Sequence, residues 1–167
     1  MRDSIQGRAW KFGSGVSTDS IAPGRLIDLR ANPPEYAKHL LEDTRPEFIQ
    51  NVKKDDFIVA GTNFGCGSSR EIAPIIINLA GVGAVLAKSF GRIFYRNAIN
   101  NAMLIIECDT DRIEEGDELF IDVKNRVIRK VNDPEFEMPF TLSEQEIKII
   151  DAGGLLNYIE KNGNMDF

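Results

Sequence analysis

The sequence is poor in the side chains that hold metals and pass protons. Among 167 residues there is one histidine, His39, and there are two cysteines, Cys66 and Cys108. That is too few for an iron–sulfur cluster or a structural zinc held by this chain alone, and it suggests no disulfide framework. Long apolar runs are missing too: nothing approaches the roughly 20 residues of a membrane span. Met1 to Gly7 lack the apolar centre of a signal peptide, so a cytoplasmic protein with no membrane partner is expected. Nor is there an excess of cations. Lys and Arg total 20 against 26 Asp and Glu, a net charge of −6, which argues against sequence-independent nucleic-acid binding. No internal repeat, low-complexity tract or charge block occurs.

What is present is ordinary globular composition, 43% hydrophobic and 28% charged. The length suits one domain over residues 1–167, with a polar tail from about 162 expected to fray. Ile5 to Phe12 reads as a first strand. Residues 13–34 are rich in Gly, Ser, Pro and Asp and show no sustained period, and a long irregular segment is more often functional than idle. A helix is expected over Glu35–Leu41, broken at Arg45-Pro46. Short apolar strands, one following a turn within 55–61 and others at 84–87 and 103–107, alternate with helices at 70–80 and 93–101, which predicts a covered sheet of mixed α/β type. From Asp117 the pattern changes to a β-hairpin turning at Lys124-Asn125. Ser143 then caps a helix, Gly153-Gly154 stops it, and a short helix follows.

The densest chemical signal is Asn63-Phe64-Gly65-Cys66-Gly67-Ser68-Ser69-Arg70-Glu71, between a buried strand and a helix. Gly65 and Gly67 free the backbone there. A helix start offers unpaired N–H groups to anions, and Arg70 can grip a carboxylate with two prongs. The plain alternative is a turn whose serine caps the helix, and spacing alone does not choose between them. The segment is not a phosphate-binding Walker loop, for it lacks the Gly-Lys-Ser/Thr ending, and it is not a nucleophile elbow. In Ser17-Thr18-Asp19-Ser20-Ile21-Ala22-Pro23-Gly24-Arg25, Asp19 either orients a hydroxyl, pairs with an arginine or closes an Asx turn. In Ser89 to Asn97, Arg92 and Arg96 share a helix face, which local sequence reads as a solvated face around Phe94. Cys66 reads as a small filler, and His39 as a surface residue with no role.

Taken together, these segments resemble the small subunits of aconitase-like hydro-lyases, the stand-alone short subunits of 3-isopropylmalate dehydratase and homoaconitase. Gly7-Arg8-Ala9-Trp10-Lys11-Phe12-Gly13, the segments just quoted, and Ala152-Gly153-Gly154-Leu155 match in order and spacing from about residue 7 to 161. The resemblance implies an aconitase-type swivelling β/β/α domain, a mixed sheet flanked by helices. It implies a dehydration–rehydration of a malate-type di- or tricarboxylic acid, most simply 3-isopropylmalate in leucine biosynthesis. Homoaconitase and 2,3-dimethylmalate dehydratase small subunits are the alternatives within the family, and a non-catalytic anion-binding module is the alternative outside it. A separate large subunit would carry a 4Fe–4S cluster, with no cofactor or metal on this chain. Ser68 matches the family's catalytic serine. Ser69 and Arg70 match substrate-binding positions, and Thr18 and Asp19 match a pair lining the same pocket. Leu26 to Asn32 occupies the specificity segment without matching either known type; there Leu26, Ile27 and Leu29 suit an alkyl group, and Arg25 or Arg30 a distal carboxylate. Ile72 stands where the family usually has histidine.

Overall fold

The computed structural model describes residues 2–163. Its frame is a seven-stranded mixed sheet in the order β4-β3-β2-β1-β5-β6-β7. The strands are β1 (Ser4–Lys11), β2 (Phe57–Ala60), β3 (Ala84–Ala87), β4 (Ile105–Glu107), β5 (Glu118–Asp122), β6 (Val127–Lys130) and β7 (Asp133–Pro139). β1 to β4 run parallel, whereas β5, β6 and β7 add antiparallel to the other edge of β1. β2 and β3 are buried at every residue. Strands that read Phe-Ile-Val-Ala and Ala-Val-Leu-Ala have no polar face to offer water, so helices must cover both sides. α4 (Ile72–Leu79) and α5 (Arg92–Asn100) are the crossovers between these strands and pack against each other, and α6 (Glu144–Ala152) and α7 (Leu155–Asn162) pack beside α5. The alternating burial of β5 fits a sheet with one wet face.

Several expectations are met residue for residue. Ser143 closes a capping box with Glu146, and Gly153 ends α6 at φ +86°. Others are corrected. The irregular segment contains α1 (Thr18–Ile21) and a 3-10 stretch over Gly24–Ala31, pieces too short to show a period. The helix expected over 35–41 is α2, Pro33–Ala37, followed by turns. Pro46 does not merely break a helix; it opens α3 (Pro46–Asn51) from a first-turn position, where its missing N–H costs nothing. The hairpin gains a third strand, β7. Its Pro134 is tolerated because β7 is a sheet edge. The frayed tail expected from about 162 falls mostly on residues 164–167, outside the described ones; Asn162 closes α7.

Candidate active site

The parallel half ends in loops that converge. After β1 comes Phe12 to Ser17, after β2 Gly61 to Glu71, and after β3 Lys88 to Gly91. Ligands of open α/β sheets gather outside the carboxyl ends of parallel strands, and here those ends are laced together. Gly15 N–H donates to the Thr62 carbonyl at 2.8 Å, Gly65 N–H to Val16 at 2.7 Å and Thr18 N–H to Cys66 at 2.9 Å. On the other side Phe64 N–H reaches Ser89 at 3.0 Å and Gly91 N–H reaches Phe64 at 2.8 Å. Below them Phe64 meets Phe94 edge to face at 5.3 Å.

Gly65 is required by this packing. Its φ is +76°, and a Cβ there would sit 2.2 Å from the Phe94 ring. The loop then turns outward, with Gly67 at φ +95°. Ser68 and Ser69 are exposed, and among the described residues neither hydroxyl makes a hydrogen bond. The capping alternative is therefore excluded. The N-cap of α4 is Glu71, without a side-chain hydrogen bond, and the helix starts at Ile72 rather than Arg70. Pro74 explains the difference, since its ring would clash with the Arg70 carbonyl four residues back in a continuing helix. Ser68 thus lies four residues before the helix, and the helix N-terminus does not flank it as the sequence had suggested.

The structure brings Thr18, Asp19, Ser68, Ser69 and Arg70 together. Thr18, 2% exposed, donates its hydroxyl to the Ser68 carbonyl at 2.8 Å and fixes the loop from beneath. Ser17 caps α1 by accepting from Ser20 N–H, which presents Asp19 outward. Asp19 Oδ1 holds Arg70 Nη2 at 2.6 Å. The Arg70 guanidinium also lies 3.6 Å from where a Gly24 Cβ would stand, so a small residue leaves it room. Beside Ser69 and Arg70 opens a cavity of about 370 Å³ lined also by Ile27, Arg30, Pro33, Glu71, Ile72 and Ile75. Arg30 faces it with no ion-pair partner among the described residues.

Arg25 is not brought in. It is paired with Glu42 and with Asp43 at 3.0 Å, on the far side of the turn. Leu26 and Leu29 pack against the core; of the apolar residues in the specificity segment, Ile27 alone lines the cavity. Arg92 and Arg96 are exposed around buried Phe94, as expected of a solvated face. His39 pairs with Glu42 at 2.6 Å, away from the site. Cys66 points its thiol at the Gly15 carbonyl, 3.5 Å away, and burial pushes the Cys108 thiol up to about 12. Sequence reading missed Tyr36. It is fully buried on α2, donates to the Pro23 carbonyl at 2.9 Å and backs the Arg70 guanidinium. Burial raises its pKa, and the neighbouring arginine opposes the shift.

Comparison with known proteins shows what the chain as a whole is similar to. Residues 30–111 match the family described as the aconitase C-terminal domain. A protein of Archaeoglobus fulgidus named 3-isopropylmalate dehydratase small subunit 2 is 51% identical over 95% of this chain and 96% of its own length. One of Methanocaldococcus jannaschii, named isopropylmalate/citramalate isomerase small subunit, is 44% identical over 96% of each. The crystal structure of 3-isopropylmalate dehydratase from Methanocaldococcus jannaschii superposes with a TM-score of 0.90 at 45% identity, covering 96% of this chain and 95% of that one.

Proposed function

The chain belongs to the family of 3-isopropylmalate dehydratase small subunits, and from that membership we propose that it is the small subunit of a two-subunit hydro-lyase. It isomerises isopropylmalate by dehydration and rehydration, a step of leucine biosynthesis, in the cytoplasm. The relatives named above carry isopropylmalate, and one citramalate, in their names; none carries homoaconitate or dimethylmalate.

One observation carries the reading: an exposed, unpartnered Ser68 on a glycine loop beside an arginine already aimed by Asp19. The substrate proton lies next to a carboxylate and is weakly acidic, so its removal needs a strong base. Ser68 serves as that base in its alkoxide form. An ordinary serine is far too weak, and the Arg70 charge together with the loop N–H groups favours the anion. Arg70 and Ser69 bind the carboxylate that gathers the carbanion's charge, with Asp19 and Tyr36 fixing the guanidinium. Thr18 holds the loop in register.

The donor set fits carboxylates, not iron: among the described residues no group of three or more His, Cys, Asp or Glu could hold a metal ion. We assign the 4Fe–4S cluster to the large subunit, where it would supply Lewis-acid chemistry while this chain supplies the base and the carboxylate-binding groups. The reading is tested by reconstitution. Mixed with a cluster-bearing large subunit, the chain gives isopropylmalate turnover that neither subunit shows alone; turnover by this chain unaided contradicts it.

A further inference from the structure

Helix α4 is apolar on more sides than its position in the fold requires. From Ile72 to Leu79 its one polar side chain is Asn78. Ala73, Pro74, Ile76 and Ile77 are buried in the core. Ile72 and Ile75, a turn apart, are only half-buried, and Leu79 beyond them is 51% exposed. A helix apolar all round is normally covered all round. Ile72 and Ile75 instead border the 370 Å³ cavity, across which stands Ile27. The polar residues lining the same cavity are Ser69, Arg70, Arg30 and Glu71, so its two guanidinium groups stand against one carboxylate. One chamber thus combines two guanidinium groups with an aliphatic wall, the complement of a carboxylic acid bearing an alkyl branch.

We propose that Ile72 and Ile75 determine specificity by receiving the alkyl branch of the substrate. The inference rests on the function proposed above and goes beyond it, because it assigns side-chain selection to the first turn of α4. An acid with a polar group in that position would lose its hydration against aliphatic side chains with nothing to replace it. An isopropyl group meets this wall with two more carbon atoms than the methyl group of citramalate, and an added methylene in an apolar pocket discriminates by about 10- to 200-fold.

The test uses the reconstituted two-subunit enzyme and the ratio of kcat/KM for isopropylmalate to that for citramalate. In Ile72→Ala and Ile75→Ala the ratio is expected to fall about tenfold, chiefly through KM for isopropylmalate. Half-exposed positions tolerate such changes, and the melting temperature of each variant checks that it folds. A ratio that does not move overturns the proposal. So does an equal loss on both acids with weakened assembly, which would make the stripe a surface covered by the large subunit. If the wild-type pair turned over neither acid, the functional reading itself would fall, and this inference with it.

Discussion

The two halves of the sheet treat their polar groups differently. In the antiparallel half the charges of the strands are paired off: Arg129 with Glu137 at 3.0 Å, Lys130 with Asp117 at 2.8 Å, Arg126 with Glu144. In the parallel half β2 and β3 are short and wholly buried, and the carboxyl ends of the strands open into loops with free hydroxyls and left-handed residues. Arg30 there has no ionic partner among the described residues. β1 belongs to both halves, pairing with β2 on one edge and β5 on the other. The contrast separates a frame whose charges largely hold one another, Arg126 Nε being buried without a hydrogen bond among the described residues, from a set of groups held in place but left unfulfilled.

Variants that damage one half and spare the other sharpen this contrast. Ile121→Ala, in the fully buried centre of β5, is expected to cost about 2–5 kcal/mol of stability; urea unfolding should show the loss while kcat of the folded, assembled enzyme stays put. Gly65→Ala should cost roughly 2–4 kcal/mol, because it combines a left-handed backbone with a clash against Phe94. Unlike Ile121→Ala it should also depress kcat of the protein that remains folded. Asp19→Asn releases the arginine without touching the core. Stability should hold within about 0.5 kcal/mol, and KM should rise about tenfold, roughly 1.4 kcal/mol.

The smallest effect belongs to acid. Asp117 is pushed up by burial, but Lys130 and the Glu114 N–H together outweigh this and hold its pKa below the ordinary carboxylate range. A depressed folded pKa stabilises above the unfolded value, about 3.9, and the contribution disappears as pH falls through the folded value. The urea midpoint should therefore be flat from about pH 7 to 5 and decline below about 4. Lys130→Met should weaken that decline, and an undiminished slope would show that the pair does not matter.

What the sequence disclosed follows the same division. β2 and β3 are legible because burial on both faces leaves only apolar residues, and α6 because Ser143 and Glu146 state its start. β7 was hidden by Pro134 and by its charged outward positions, although Phe136 and Met138 alternate inward. α1 is four residues long and carries no period to detect. At the site, Ser68, Ser69 and Arg70 are local in sequence and announce themselves. Thr18 and Asp19 were placed there by family resemblance, and the backbone bonds from Thr18 to Cys66 and from Gly65 to Val16 are what join the segments physically. Tyr36 gave no signal, since a tyrosine in a proline-led helix reads as core until its contact with a distant arginine is seen. Arg25 misled for the opposite reason: its acidic partners follow in the next turn, where charge pattern alone ranks a surface pair no higher than a ligand.

The division of labour between two polypeptides stands or falls on Ser68. Its side chain is exposed and makes no hydrogen bond among the described residues, so Ser68→Ala should leave folding and assembly with the large subunit intact. Measured on the purified two-subunit enzyme, kcat for isopropylmalate should drop by about 10²–10⁴-fold. An assembled Ser68→Ala enzyme that retains kcat within a few-fold of the wild type would contradict the account, and the base would have to be sought on the other subunit.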